Sequence, residues 1–348
     1  MLNSNNTIAF RTHISTSIGL GHFSRLQNLE HSFKNQVEWI LSGDLKIIKK
    51  LFKKKKYIFF KNSENLESKI SEFLINKKIH KVIIDLSHDE IIKNNKIIKL
   101  QKTYMNKGIK LISFDDARHK IVSHYSIIGT ISSSKKLKKT NSNKKIFIGK
   151  NYNFLHYALK KKENKFKFKK SVSRILISIS GTDKNSTGLK ILRLLADLNY
   201  KFTFINVKKI DLSKKNNLIL KKNFSKLKIL SLVSKSQMIK EIEKADLGIC
   251  GPGIIKFDLS MQKKPFVMIL DKKTKKNIQM VDFLKFKNCE HLVINKRIIN
   301  EKIYNSILRY ISNFNLRKKH FLNSKKFFNL NVMKKKQESL IAKIKKLG

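Results

Sequence analysis

The chain has 348 residues with 41% hydrophobic content, 77 Lys and Arg against 24 Asp and Glu, and a formal net charge of +53. That size supports one large or two ordinary domains with buried cores, and two is the expected number. Two cysteines, Cys250 and Cys289, exclude a disulfide framework. Without zinc-type spacings, a secretory leader pattern or an apolar run near ~18 residues, the expectation is a soluble cytoplasmic protein with no membrane span and no zinc site.

Short β-branched runs alternate with longer stretches of helical period, the pattern of parallel sheets with crossover helices. In the first half, strands are predicted at Thr7 to Arg11, Val37 to Leu41, Tyr57 to Phe60, Val82 to Asp85, Lys110 to Phe114 and Ser126 to Ile131. A Lys-rich stretch from Lys135 to Lys145, then IFIGKNY and a basic run to Lys170, reads as the interdomain region. The second series is predicted at Arg174 to Ser180, Lys201 to Val207, Leu227 to Leu230, Leu247 to Cys250 and Phe266 to Leu270, ending near His291 to Ile294. Between them, Leu189, Leu192 and Ala196 share one helical face, and Met238, Ile242 and Ala245 another. Residues 332–347 read as a basic amphipathic helix, packed on a domain or lying on a membrane surface. The expected fold class is α/β, two Rossmann-like doubly wound domains facing a cleft, over residues 1–155 and 156–348, with the last helix able to pack back on the first. Ligands are expected beyond the carboxyl ends of the strands.

The stretch SIGLGHFSRLQNL, Ser17 to Leu29, places two of the chain's 12 glycines directly after the first strand. Strand, glycine loop, then helix brings backbone N–H groups close to a ligand. From Phe23 the period is helical, with Leu26, Leu29 and Phe33 toward the core, so His22 falls at or just before the helix start. The positive end of the helix dipole disfavours an imidazolium there, which suits a general base acting on water. Capping or packing is the other reading of His22, and Arg25, one turn on, reads as an anion ligand or a solvated side chain. Spacing alone does not separate these.

The positive charge points to nucleic acid or an anionic surface on one reading and to compositional drift on the other. Only eight of the basic residues are Arg, the Lys excess travels with Ile and Asn, and the patches are spread along the chain. Specific phosphate and guanine readers favour Arg, so solvated faces are the preferred reading and no specific nucleic acid is expected as a partner.

RTHISTSIGLGHFSRLQNL resembles the opening of the UDP-diacetamido-trideoxy-altropyranose hydrolases of the pseudaminic acid pathway and their spore-coat-polysaccharide relatives. Arg11, Ser15, Ile18, Gly19, Gly21, His22 and Arg25 fall on that family's Arg-x-Asp-x-Ser, Ile-Gly-x-Gly-His-x-x-Arg pattern. SFDDARHK (Ser113 to Lys120) is similar to its Asp-Asp segment and GKNYNFL (Gly149 to Leu155) to its Gly-Pro-x-Tyr segment. ISISGTDKNSTG, from Ile177, is similar to its Gly-Gly-Ser-Asp segment, and Ala245 to Ile269 aligns without gaps to its Gly-Gly-Ser-Thr-x-Trp-Glu block. The resemblance implies a GT-B-like fold and a nucleotide sugar, UDP-linked, as partner. It implies hydrolysis with inversion by His22-activated water, with no metal and no cofactor, in nonulosonic acid or surface-glycan synthesis; a monomer or weak dimer is expected.

On that resemblance, substrate binding is expected at Arg11, Ser15, Gly19, Gly21, Arg25, Asp115 and Tyr152. Nucleotide binding is expected at Gly181, Thr182, Asp183, Gly251, Gly253, Ile254 and Asp258. From the residues alone, Asp115, Thr182 and Asp183 also read as helix caps, and Gly251 to Gly253 as a tight strand-to-helix turn. The chain departs from the family at His13, at Pro252-Gly253-Ile254-Ile255, which removes one N–H and two hydroxyls from the donor loop, and at His156. Two alternatives accompany the hydrolase: a GT-B glycosyltransferase using a nucleotide sugar, and a non-catalytic sugar-nucleotide or polyanion-binding protein.

Overall fold

In a computed structural model, the residues described are 7–15, 20–33, 36–53, 55–86, 96–114, 122–129, 145–156, 159, 166–179, 183, 186–206, 220, 222, 224–276, 278–294 and 301–347. The chain divides into two units, Met1–Tyr157 with Asn331–Gly348, and Ala158–Leu330.

The first unit opens on β1 (Ile8–Ile14), whose seven residues are all buried. A strand buried on both faces needs cover on both sides, which is the interior position in a parallel sheet. It is followed by α1 (Gly21–Glu30), β2 (Val37–Gly43), α2 (Leu45–Leu51), β3 (Ile58–Phe59), α3 (Leu66–Asn76) and β4 (Lys81–Asp85). Then come α4 (Lys96–Met105), β5 (Lys110–Phe114), β6 (Tyr125–Ile128) and β7 (Lys145–Ile148). The described strands form a seven-stranded parallel sheet in the order β3-β2-β1-β4-β5-β6-β7. The order reverses between β1 and β4, where loops leave the carboxyl edge in opposite directions and open a crevice.

Two expectations change here. β1 continues three residues past Arg11, because Thr12, His13 and Ile14 pair with Leu41, Ser42 and Gly43 of β2. IFIGKNY is not purely connecting chain: β7 adds to the sheet beside β6, its short apolar run hidden in sequence by flanking lysines.

An aromatic cluster seats α1. Phe23 lies 5.4 Å from Trp39 and 5.3 Å from Phe52, and Phe10 lies 5.3 Å from Trp39, between ring centroids. The predicted face of Leu26, Leu29 and Phe33 is buried. With that face fixed, the adjacent flank carrying His22 and Arg25, three residues apart, is directed to the end of β4.

The second unit contains β8 (Arg174–Ser178), α5 (Thr187–Leu195), β9 (Lys201–Asn206), β10 (Leu227–Ser231), α6 (Lys235–Lys244), β11 (Leu247–Cys250) and α7 (Ile255–Met261). It continues with β12 (Phe266–Asp271), α8 (Lys272–Lys275), α9 (Ile278–Leu284), β13 (Glu290–Ile294), α10 (Glu301–Ser312) and α11 (Phe314–Phe327). Its described strands form a six-stranded parallel sheet, β10-β9-β8-β11-β12-β13, reversing between β8 and β11. In α6 the buried apolar positions are Ile239 and Ile242, with Met238 only half-buried. Ser234 caps that helix by accepting from the Gln237 N–H.

The last helix, α12 (Leu330–Lys345), is tied to the first unit through Gln337, which is fully buried. Its Oε1 accepts from the Leu155 N–H at 3.0 Å, and its Nε2 donates to the Asn151 and Asn153 carbonyls at 2.8 and 2.9 Å. One side chain thereby satisfies three backbone groups that burial would otherwise leave unpaired. Gln337→Leu is expected to lower stability by about 3 kcal/mol and to speed hydrogen exchange across residues 333–345, read by urea denaturation and mass spectrometry. An unchanged denaturation midpoint would contradict this role.

Candidate active site

The end of β4 carries a carboxylate with no solvent exposure, Asp85. A buried charge survives only with partners, and α1 supplies two. Arg25 donates from Nε to Oδ2 at 2.7 Å and from Nη2 to Oδ1 at 2.6 Å, a bidentate pair. His22 Nδ1 lies 2.6 Å from Oδ1. The Arg25 guanidinium also stands 5.6 Å above the Phe114 ring at the end of β5. Burial opposes ionisation of Asp85, but Arg25 and then His22 outweigh it and hold the carboxyl below its ordinary range.

These contacts fix the tautomer of His22. Nδ1 is 2.6 Å from an anionic oxygen and 2.8 Å from Arg25 Nη2, so it can donate to the first or accept from the second. An unprotonated Nδ1 would hold its lone pair against the carboxylate, a direct repulsion at low dielectric. Nδ1–H therefore donates to Asp85, and the short Nδ1 to Nη2 separation results from two donors converging on one oxygen. In the neutral ring, Nε2 is then the acceptor. The His22 side chain is 20% exposed, whereas the Asp85 side chain has no exposure. Such a pair can take a proton and stabilise the resulting imidazolium.

The backbone beneath the dyad is also pinned. Thr12 lies opposite Asp85 in the β1–β4 pairing, and its hydroxyl donates to the Asp85 carbonyl at 2.9 Å. Asp85 is the member of this cluster that motif reading missed. Its signal is an acid closing the β-branched run VIID at a predicted strand end, where open α/β sheets bind ligands.

Arg11 takes a different role from the one the resemblance implies. It lies inside β1 with no exposure, donating to Glu67, to the Thr12 carbonyl at 2.7 Å and to the Ser42 hydroxyl at 2.9 Å. Glu67 also accepts from the Tyr104 hydroxyl. Burial penalises the guanidinium, yet Glu67 raises its pKa on balance. No face of Arg11 is left for a substrate, and the residue holds β1, β2 and α3 together. Arg25 is bonded to Asp85 through Nε and Nη2, and its side chain keeps 34% exposure.

Among the other predicted residues, Ser15 follows β1 and is half-buried, and Gly21 opens α1. Leu20, the N-cap residue of that helix, makes no side-chain cap bond. Tyr152 ends a short 3-10 turn after β7, packed on Phe147 at 5.6 Å, and partial burial raises its phenol pKa. Gly19, Asp115, Gly181 and Thr182 lie outside the described residues.

In the second unit, the loop after β11 meets the end of β8 at the reversal point. A Cβ on Gly251 would sit 2.0 Å from the Ile179 carbonyl oxygen, so only glycine fits, whereas a Cβ on exposed Gly253 would meet nothing within 4 Å. Ile254 precedes α7 with helical backbone angles and no side-chain cap bond. Lys256 folds back to donate to the Pro252 carbonyl and, at 3.3 Å, to the Gly253 carbonyl. Asp183 caps α5, accepting from the Thr187 and Gly188 N–H groups at 2.8 and 2.9 Å, while burial raises its carboxyl pKa. Asp258 is buried, with Oδ2 taken by Lys235 at 2.5 Å and its pKa pushed up by burial against the pull of that lysine. Both carboxylates therefore have structural bonds where the resemblance implies nucleotide contacts. No group of acidic, His or Cys side chains among the described residues is arranged to hold a metal ion, and no described helix is long and apolar enough to cross a membrane.

No family model and no curated protein sequence matches the chain. Solved structures do. MurG from Acinetobacter baumannii matches over 97% of this chain and 99% of its own at 10% identity, TM-score 0.59. Phytolacca americana UGT2, complexed with UDP-2-fluoroglucose and pterostilbene, matches over 97% and 99% at 9% identity, TM-score 0.63. UDP-GlcNAc 2-epimerase from Neisseria meningitidis, bound to UDP-GlcNAc, matches over 97% and 100% at 14% identity, TM-score 0.56. The chain has two parallel-sheet Rossmann-like domains of the GT-B type.

Because its native carboxyl pKa is depressed, Asp85 contributes stability that is fully present above the ordinary aspartate value and is lost as pH falls through the native one. Asp85→Asn is expected to lower stability by about 3 kcal/mol at neutral pH, the gap to the parent closing below about pH 4. Urea denaturation across pH checks this, and a gap equally wide in strong acid would contradict the ion pairs.

Proposed function

We propose that the protein is an enzyme that uses a nucleotide sugar, UDP-linked, and transfers its glycosyl group to an acceptor hydroxyl with His22 as general base. The observation that carries this reading is the His22–Asp85 dyad at the β1–β4 reversal, with the His22 side chain partly exposed and its Nδ1 held by a buried anion. The GT-B-type fold and the UDP-sugars bound in two of the similar structures support the donor class.

The acceptor oxygen attacks the anomeric carbon and its proton passes to His22 Nε2. The bond from that carbon to the diphosphate oxygen breaks, and UDP leaves with the electron pair. Asp85 meets the new imidazolium charge through Nδ1–H, and Arg25 keeps Asp85 ionised. A single displacement inverts the anomeric centre. Ser15, Gly19, Gly21, Asp115 and Tyr152 are assigned to the substrate side. In the second unit, Gly181 and Thr182 after β8, with Gly251, Gly253 and Ile254 after β11, are assigned to the nucleotide, whose phosphates suit backbone N–H groups at such a reversal.

A second reading has water as the acceptor, giving a free amino or deoxy sugar and nucleotide. The residue pattern from Arg11 to Arg25 favours it, through its resemblance to the nucleotide-sugar hydrolases.

Incubation with UDP-GlcNAc and UDP-linked diamino sugars, with and without glycan acceptors, separates the two by chromatography of released UDP. Release only with acceptor supports transfer, and release in buffer alone supports hydrolysis. His22→Ala is expected to lower turnover by about a thousandfold; a variant as fast as the parent would rule out the dyad as the base.

A further inference from the structure

The second unit has a cavity of about 300 Å³ at the opposite edge of its sheet from the β8–β11 reversal loops. It opens where β8, β9 and β10 begin and is closed by the end of α6. Its charged lining comprises Arg174, Lys201, Lys226, Lys228, Lys244 and Glu241, five cations to one carboxylate.

That carboxylate is already used, since Lys228 Nζ donates to Glu241 at 2.6 Å. Lys226 donates to the Asn199 side chain at 3.0 Å. No hydrogen bond or ion pair among the described residues engages the Arg174 guanidinium or the Lys201 and Lys244 ammonium groups. Neighbouring Asp246 is spent on the Ser173 and Arg174 N–H groups and on Lys169.

Compositional drift would scatter such charges over convex surface. Here Arg174 and Lys201 are direct partners in the β8–β9 pairing, about 4.8 Å apart across adjacent strands. Like charges in that relation destabilise a sheet unless an anion lies between them. The carbonyl end of α6, which would repel an anion, is covered: Lys264 donates to the Glu243 and Ala245 carbonyls, both at 2.7 Å. Arg174 is one of only eight arginines in the chain, and its planar fork matches phosphate oxygens. Phe202 and Leu227 give the cavity an apolar floor.

We propose that this cavity binds a compact anion carrying a diphosphate group, held between Arg174, Lys201 and Lys244. Three unneutralised cations call for roughly the charge of a diphosphate, and the volume is near the lower end of small-ligand sites. The site lies apart from the loops assigned to the nucleotide, so it stands or falls independently of the proposed reaction.

The test is calorimetric titration of the full chain with inorganic pyrophosphate at physiological ionic strength. It uses the parent, Arg174→Gln/Lys201→Gln/Lys244→Gln, and a control that removes three exposed charges from α2, Lys46→Gln/Lys49→Gln/Lys50→Gln. Saturable binding by the parent, at least tenfold weaker in the cavity variant and changed less than twofold in the control, is the expected result. Equal weakening in both triple variants, or no saturable binding by the parent, overturns the site. If the cavity variant misfolds, Lys201→Gln alone must still weaken binding at least threefold, or the site is overturned. Co-sedimentation with phosphatidylcholine vesicles containing a polyprenyl diphosphate then assigns the source. Pelleting that the cavity variant loses supports the site as one for lipid phosphate, and absence of pelleting with pyrophosphate retained supports it as one for a soluble ligand.

Discussion

A carboxylate with no access to water at the end of a central strand sets the terms for the first unit. Ionised Asp85 would be prohibitively costly alone, so α1 has to present both Arg25 and His22 to it. That requirement fixes the rotation of α1. The aromatic contacts of Phe23 with Trp39 and Phe52 hold the same rotation from the other side, so packing and electrostatics agree on one orientation. The chemistry follows from the same constraint. In the proposed reaction, a histidine whose Nδ1–H is claimed by an anion offers Nε2 as its base.

The layer beneath is built to keep that arrangement still. Thr12 holds the Asp85 backbone, and Arg11 holds the Thr12 carbonyl while it is itself anchored by Glu67 and Ser42. Charged groups thus form a buried stack whose exposed outlet is the His22–Arg25 edge. In the second unit the corresponding reversal point is made by close backbone approach. Gly251 meets the Ile179 carbonyl, and the acids there, Asp183 and Asp258, are engaged by a helix N-terminus and a buried lysine. The two sheets share a topology but invest their buried charge differently.

Much of this was legible from residue pattern. The β-branched runs located the strands, and strand–glycine–helix spacing placed His22 at the start of α1, where it stands as the second residue. The interior of the network was not legible. Arg11 read as the last residue of its strand and, on the resemblance, as a substrate ligand; its burial depends on Glu67, 56 residues away, and no local pattern encodes that pairing. Asp85 read as the end of a strand because a single acid acquires its role only when β4 lies beside β1. β7 was missed since a four-residue edge strand between lysine runs has too few apolar positions to show a period.

The central claim is that Asp85 sets the tautomer of His22 and leaves Nε2 free. Long-range ¹H–¹⁵N correlation of the imidazole, assigned by His22 substitution, measures this directly. The neutral ring is predicted to show a protonated, pyrrole-type Nδ1 and a pyridine-type Nε2, with the preference lost in Asp85→Asn. A neutral ring carrying its proton on Nε2 in the parent would contradict the account.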